Sequence, residues 1–128
     1  MNGGTGNDSI TGGFGRDVIT AGGGDDLFVY LSQREAGDGI ADFGASGDDD
    51  AFALKAAAFG NHAAGGLLAG KFQSSNAGTA SRPAVCIFFG RDDHSLYFDA
   101  DGSGTQAAIL ITVLQPGAVV VAADISFF

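Results

Sequence analysis

The sequence predicts an all-β fold in which a short parallel β-roll is followed by a small antiparallel β-sandwich. Two observations lead to this prediction. A unit of nine residues repeats without interruption over residues 3–29, and the rest of the chain consists of short apolar segments separated by turns rich in glycine and aspartate. Repetition at a short fixed period is typical of folds in which successive units stack on one another. We therefore expect two domains, a roll at residues 1–30 and a sandwich at residues 31–128.

The repeat occurs in three copies, at residues 3–11, 12–20 and 21–29. All three follow the pattern G-G-x-G-x-D-x-U-x, in which U is a large apolar residue. The one departure is Ala21, which stands in the first glycine position of the third copy. Agreement over 27 consecutive residues is a much stronger signal than an isolated glycine motif.

The pattern predicts turns that bind a metal ion. Glycine at positions one, two and four permits positive φ and a tight turn whose carbonyl oxygens point inward. Aspartate at position six adds a carboxylate to these oxygens, and Ca²⁺ takes about six to eight oxygen ligands at roughly 2.3–2.6 Å. The candidate calcium-binding residues of the three turns are Gly4, Gly6, Asp8, Gly13, Gly15, Asp17, Gly22, Gly24 and Asp26.

Positions seven to nine of each copy predict a short strand whose middle residue alone faces the core. These inward residues are Ile10, Ile19 and Phe28. Because each copy forms half of one coil, the turn of Asp8 should stack on the turn of Asp26. The turn of Asp17 then lies on the opposite side, where it either pairs with Asp38 or forms a half-open site. Residues 30–38 break the pattern, so we expect the roll to end there.

The charge distribution is uneven along the chain. Residues 1–50 contain ten acidic and two basic residues, a net charge of −8, whereas residues 51–128 carry a net charge of −1. The first segment should therefore repel itself until cations bind. Nucleic acid is not an expected partner, because the sequence has no basic patch.

Cysteine content and hydropathy narrow the possible classes of protein further. Cys86 is the single cysteine, so an intrachain disulfide is not possible. No apolar run reaches the ~20 residues of a membrane helix, so stable membrane insertion is not expected. An N-terminal signal peptide is not visible, and Met1-Asn2 has the character of a trimmed start. Any export signal is therefore expected elsewhere.

Beyond the repeats, the sequence predicts a series of short strands and turns. Strands are expected at residues 27–31, 40–43, 71–73, 84–89, 95–99 and 107–114, a helical turn at 122–124 and an apolar end at 125–128. The intervening turns contain glycine, aspartate or proline. Successive hairpins with a continuous apolar core suggest a small antiparallel sandwich packed on the roll.

These features together resemble the C-terminal domain of RTX (repeats-in-toxin) proteins. The nine-residue repeats resemble an RTX β-roll, residues 38–43 (DGIADF) resemble the D-x-I-x-D-F segment that follows it, and residues 95–104 (SLYFDADGSG) are similar to a hairpin of the same family. The ending, Ala122-Ala123-Asp124 followed by apolar residues, is similar to an uncleaved type I secretion signal. The resemblance implies export of the unfolded chain from a Gram-negative bacterium through the type I secretion machinery, with folding on extracellular calcium.

The same resemblance implies two further calcium ligands, Asp38 and Asp42, which could instead be strand-end caps. For Asp48, Asp49 and Asp50 a solvated acidic loop is expected in preference to a metal site. Asp99 and Asp101 match the start of an EF-hand loop only superficially, because the glycine comes too early and the closing glutamate is missing. We expect a hairpin turn there.

No catalytic activity is expected of this chain. His62 and His94 are isolated and lack the H-E-x-x-H spacing of a zinc site, and Cys86 lies in an apolar segment. Any activity would belong to a domain upstream of the repeats. The chain could then be the tail of a secreted metalloprotease, lipase or polysaccharide-modifying enzyme, or of an adhesin or surface-layer protein. The sequence does not separate these alternatives, and it leaves the oligomeric state open.

Overall fold

The computed structural model describes residues 2–44, 47–59, 65–66, 72–75, 87–91, 93–98 and 109–128. These residues form short strands and isolated 3₁₀ turns, as the all-β prediction requires. In chain order the strands are β1 (Ser9–Ile10), β2 (Val18–Ile19), β3 (Leu27–Tyr30), β4 (Asp38–Ile40), β5 (Ala51–Leu54), β6 (Gly65–Gly66), β7 (Phe72–Ser75), β8 (Ile87–Gly90), β9 (Ser95–Phe98), β10 (Ile109–Leu114) and β11 (Ile125–Phe127).

Successive repeats contribute their strands alternately to two facing sheets. The first sheet has the order β1-β3-β5-β11-β6 and the second the order β2-β4-β10-β9-β8-β7. Strands β1 and β3 are parallel, with Ile10 opposite Phe28. Each nine-residue copy is therefore half a coil, which confirms the predicted stacking of the first turn on the third.

The roll continues beyond Tyr30, and the prediction that it ends there was wrong. Strand β4 stacks in parallel on β2, with Ile40 opposite Ile19, and β5 stacks in parallel on β3, with Phe52 opposite Phe28. A 3₁₀ turn at Gln33–Glu35 replaces the glycine turn on one side. The lost glycines change the turn, but the inward apolar residue that defines the strand is retained.

The C-terminal half extends the same two sheets. Strand β10 pairs in parallel with β4, and β11 pairs in parallel with β5. The predicted hairpin is present as antiparallel β8 and β9, and β9 is antiparallel to β10. Both sheets are therefore mixed rather than purely antiparallel, because strands of the second half align with the direction that the roll imposes.

The core lies between the two sheets and combines aliphatic with aromatic side chains. Ile10, Ile19 and Phe28 are buried, as predicted for the middle residue of each repeat strand. Phe43 stacks on Phe52 with ring centroids 4.8 Å apart, and both rings lie within 6.0 Å of Phe28. Burial of each such ring contributes about 1.5–3 kcal/mol, so the core holds the last coil of the roll against the rest of the molecule.

Several predictions concern residues outside the described parts of the chain. They are the roles of His62 and Cys86, the turn at Asp99 and Asp101, and parts of the strands predicted at 71–73, 84–89 and 107–114. The predicted helical turn at Ala122–Asp124 is confirmed as a 3₁₀ turn that leads directly into β11.

Candidate metal centre

The turn of each repeat is built on left-handed glycines at positions two and four. The φ values are 96° and 95° at Gly4 and Gly6 in the first turn, and 97° and 120° at Gly22 and Gly24 in the third. Gly13 and Gly15 in the second turn have the same conformation. L-residues with a side chain rarely adopt this region, so the predicted requirement for glycine is confirmed at these two positions.

Glycine at position one is required for a different reason. Gly3 and Gly12 are not among the positive-φ residues, which corrects the expectation that position one shares the left-handed conformation. A Cβ at Gly3 would lie 2.5 Å from the carbonyl oxygen of Ala21 and 3.1 Å from Oδ2 of Asp8. Position one therefore keeps space beside the oxygen atoms that converge inside the turn.

The first and third turns lie directly against each other. The amide of Gly6 donates to the carbonyl of Gly23 at 2.8 Å, and the amide of Gly23 donates to the carbonyl of Gly4 at 3.1 Å. A Cβ at Gly22 would overlap the Gly4 carbonyl. The absence of side chains thus allows backbone-to-backbone stacking, which brings the carboxylates of the two turns into one column.

Asp8, Asp26 and Asp50 form this first column and are linked by successive hydrogen bonds. The amide of Asp8 donates to Oδ1 of Asp26 at 2.9 Å, and the amide of Asp26 donates to Oδ1 of Asp50 at 2.9 Å. Oδ2 of Asp8 and Oδ2 of Asp26 are both buried without a hydrogen-bond donor. Oδ1 of Asp26 therefore orders the turn of Asp8, and Oδ2 of both carboxylates remains available for a ligand.

Asp17 and Asp38 form a second column with the same arrangement on the opposite side of the roll. The amide of Asp17 donates to Oδ1 of Asp38 at 2.8 Å, while Oδ2 of both residues is buried without a donor. The two Oδ2 atoms lie 3.0 and 2.9 Å from the point where a Cβ of Gly12 would stand. Of the two alternatives for Asp17, the structure shows the pairing with Asp38.

These oxygens fit a hard divalent cation. A buried carboxylate oxygen without a donor is strongly unfavourable unless a cation or proton satisfies it, and Ca²⁺ prefers oxygen ligands. The described residues contain no group of three or more His, Cys, Asp or Glu side chains suited to a metal. Two carboxylates per column therefore need backbone carbonyls to complete a site, and the Ala21 carbonyl beside Asp8 is one such donor.

Burial affects the ionisation of Asp38 in the second column. Burial raises the pKa of the Asp38 carboxyl above its usual range, and the hydrogen bond from the Asp17 amide opposes this increase. The nearby Asp17 carboxylate adds to it. A divalent cation would supply the positive charge that these two carboxylates lack.

Asp42 uses both of its carboxylate oxygens in hydrogen bonds to the backbone. Its Oδ1 accepts from the amide of Ala21 at 2.9 Å and its Oδ2 accepts from the amide of Gly22 at 2.8 Å. Both oxygens therefore anchor the start of the third turn. This geometry favours the cap alternative for Asp42 over the ligand alternative.

Sequence reasoning missed the role of Asp50, which was expected in a solvated loop. Asp50 is 3 % exposed, and its Oδ2 accepts from the amide of Gly44 at 2.7 Å. Burial raises the pKa of the Asp50 carboxyl. Its neighbour Asp49 is exposed and donates its amide to Asp25. The sequence signal for this role was the run Asp49-Asp50-Ala51-Phe52. It matches the x-D-x-U part of the repeat, but it does not fall at the nine-residue spacing.

His94 is part of a tight turn between β8 and β9. It adopts a positive φ of 55°, and its carbonyl accepts from the amide of Leu114 at 2.7 Å. Asp93 beside it accepts from the Ser95 amide and the Tyr97 hydroxyl. These contacts describe a hairpin turn.

The fold and these two columns define a calcium-binding parallel β-roll. In agreement, comparison with protein families matches residues 1–30 to the RTX calcium-binding nonapeptide repeat (4 copies). Residues 1–30 are therefore RTX repeats, and RTX nonapeptide repeats bind calcium. No curated protein and no solved structure gives a significant match to the chain. Among the described residues, no helix has the length and apolar character needed to cross a membrane.

Proposed function

We propose that this chain is a calcium-triggered folding and export module of a larger type I secreted protein. The observation that carries the proposal is the pairing of buried, donor-free carboxylate oxygens, Asp8 with Asp26 and Asp17 with Asp38. RTX repeats at residues 1–30 support calcium binding by such a module. The secretion signal and extracellular location belong to the proposal.

One ion would be held by each column. Asp8 and Asp26 would hold the first ion, and Asp17 and Asp38 the second, each with backbone carbonyls of the stacked turns. The first column closes at Asp50, whose second oxygen accepts the Gly44 amide instead of facing an ion. Ala21, with a methyl group at position one of the third turn, is consistent with this closure. The bound calcium supplies positive charge that allows the carboxylates to be buried together.

Without calcium, two effects oppose folding of the roll. The glycine-rich turns lose much conformational entropy on ordering, and residues 1–50 carry a net charge of −8. Ion binding then supplies folding free energy, as in other small domains ordered by a metal. Extracellular calcium modules have Kd values of roughly 10⁻⁴–10⁻³ M. A site of this strength stays empty in a cytosol low in calcium and fills outside the cell.

The position of the C-terminal segment supports export before folding. Strand β11 lies inside the first sheet, between β5 and β6, with Ile125 and Phe127 buried. If this segment carries the secretion signal, the transport machinery reads it before the sheet forms. Folding on calcium outside the cell would then bury the signal.

We propose further that this chain is not itself an enzyme. Asp38 and Asp50 are engaged by backbone amides in the roll, and Asp93 caps a hairpin. These roles account for these three carboxylates by structure rather than by catalysis. Any activity, enzymatic or adhesive, would come from a domain outside this chain.

Circular dichroism during a calcium titration tests the proposed function. We expect little strand signal in chelator and a cooperative gain of strand signal at millimolar calcium. Asp26→Asn keeps the acceptor for the Asp8 amide but removes a ligand charge, so it should raise the calcium midpoint by about tenfold. Asp25→Asn is the matched control, because Asp25 is exposed and the change in net charge is the same. A strand-rich spectrum in chelator that calcium leaves unchanged would contradict the proposal.

A further inference from the structure

Tyr30 ends β3 with its side chain inside the core. It is 2 % exposed and lies on the same face of the strand as Phe28. Its hydroxyl is buried and has no hydrogen-bond partner. An unpaired hydroxyl in a protein interior is unfavourable, and a phenylalanine at this position would avoid that cost.

The neighbours of the hydroxyl belong to the opposite sheet. The Asp38 carboxylate and the Thr112 hydroxyl lie close enough to the Tyr30 hydroxyl to act on its pKa. Asp38 is in β4 and Thr112 is in β10, and the two residues stand opposite each other in the parallel register of these strands. Tyr30 thus extends from the first sheet across the core to the carboxylate of the second calcium column.

Thr112 fixes the backbone of the same aspartate. Its hydroxyl donates to the carbonyl of Asp38 at 2.9 Å, and both residues are fully buried. The Asp17 amide already holds Oδ1 of Asp38. The contact that would still orient the carboxylate toward an ion is one to its remaining oxygen, and a phenol O–H beside it is a suitable donor.

We propose that Tyr30 is a positioning residue for the calcium ion held by Asp17 and Asp38. With the ion bound, its O–H would donate to the Asp38 carboxylate and hold Oδ2 in the orientation that ligates the ion, while Thr112 holds the Asp38 backbone. Hydrogen bonds of this kind behind a metal ligand typically change affinity by about 10–100-fold. The proposal rests on the proposed function, and it adds a link from one calcium site to the opposite sheet and to β10.

The calcium affinity of the column of Asp8 and Asp26 provides an internal reference for the affinity of the column of Asp17 and Asp38. The Tyr30 hydroxyl lies beside Asp38, which belongs to the other column. Loss of the Tyr30 hydroxyl should therefore weaken one ion and leave the other unchanged. A residue that only fills the core would instead alter folding, and with it both ions alike.

Isothermal titration calorimetry on Tyr30→Phe and on the wild-type chain tests this inference. We expect two classes of site in the wild type and, in Tyr30→Phe, a loss of about tenfold in affinity at one of them. Thr112→Val should weaken the same site, whereas Thr112→Ser, which retains the hydroxyl, should restore it. Unchanged affinity at both sites in Tyr30→Phe, or equal weakening of both, overturns the inference.

Terbium luminescence gives a second readout that packing alone does not change. The chain has two tyrosines and no tryptophan, so excitation of tyrosine reports which ring adjoins a bound Tb³⁺ ion. Tyr30→Phe should remove most of the sensitised emission. Tyr97→Phe is the matched control, because Tyr97 stacks on Phe88 and donates to Asp93 in the hairpin, and it should retain most of the emission.

The outcomes separate this inference from the proposed function. If the wild-type chain binds calcium and folds on it, but Tyr30→Phe behaves as wild type, the positioning role alone fails. If Tyr97→Phe, rather than Tyr30→Phe, removes the terbium emission, the positioning role again fails. If the wild-type chain binds neither ion, the proposed function fails and the role of Tyr30 fails with it.

Discussion

At the residue scale, two kinds of glycine build the calcium turns. Glycines at positions two and four adopt left-handed φ values, as Gly4 and Gly6 show. Glycine at position one instead leaves space for the ion. At Gly12, the point where a Cβ would stand is 2.9 Å from Oδ2 of Asp38 and 3.0 Å from Oδ2 of Asp17. A methyl group there would occupy the region where a cation meets both carboxylates.

The substitution Gly12→Ala should therefore abolish one calcium site. Because the added Cβ crowds the Asp17 and Asp38 oxygens, we expect calorimetry to show one bound ion in place of two. Gly23→Ala is the control, since a Cβ at Gly23 meets nothing within 4 Å and its φ is not left-handed. Two ions bound to Gly12→Ala with wild-type affinity would show that the second site lies elsewhere.

At the element scale, the inward aromatic residues hold the last coil of the roll. Phe52 in β5 is fully buried between Phe28 and Phe43. Its strand joins the repeats to β11, because β5 lies between β3 and β11. Core packing at Phe52 therefore connects the repeats to the C-terminal strand.

The substitution Phe52→Ala should lower the free energy of unfolding of the calcium-bound protein by about 3–5 kcal/mol, because it leaves a cavity in the core. Urea denaturation at saturating calcium measures this change. Phe14→Ala is the matched control, since Phe14 is 73 % exposed in the second turn and should change stability by less than about 0.5 kcal/mol. Equal effects of the two substitutions would contradict the assigned core.

The repeats and their strands could be predicted because their pattern is local. The glycines, the aspartate and the inward apolar residue of each copy act within their own copy or on the turn stacked against it. The continuation of the roll was missed because stacked aspartates are 18 residues apart at Asp8 and Asp26, but 21 apart at Asp17 and Asp38 and 24 apart at Asp26 and Asp50. The longer steps break the nine-residue phase.

Pairing between the two halves of the chain could not be predicted from local spacing. Thr112 donates to Asp38 across 74 positions of sequence, and Ile125 lies opposite Phe52 in the register of β11 and β5. These partners meet only because the C-terminal strands add to sheets that the roll begins, and no motif in either segment encodes that addition.

The site itself was predicted in part. Aspartates at position six were recognised from their spacing. Asp38 was one of two alternatives for pairing with Asp17, and it was named as a ligand by resemblance. The role of Tyr30 could not be predicted from the sequence, because an aromatic residue at the end of a strand is expected simply to be part of the hydrophobic core. Its relation to Asp38 depends on how closely the two sheets approach, and only the folded chain brings the two residues together.

At the scale of the whole molecule, the roll and the C-terminal half share both sheets. Strand β11 pairs with β5, and β10 pairs with β4, so the last strands complete the sheets that the repeats begin. The proposed ion sites lie at the turns of the repeats, so ion binding should also stabilise the C-terminal strands that pair with them. We therefore expect residues 1–30 and 31–128 to fold in one transition, although each was predicted as a separate domain.

Hydrogen exchange followed at increasing calcium concentration measures this coupling. Amides of β1 and β3 should gain protection at the same calcium concentration as amides of β8 and β9, because folding is a single cooperative step. Protection of β8 and β9 in chelator, before the repeats are ordered, would instead show two independently folding domains.

A crystal structure determined at millimolar calcium, with the ions located by anomalous scattering, tests the central claim most directly. The account predicts one calcium ion between Oδ2 of Asp8 and Oδ2 of Asp26, and a second between Oδ2 of Asp17 and Oδ2 of Asp38. Calcium found only at the exposed Asp49, or no calcium at either pair of aspartates, would contradict it.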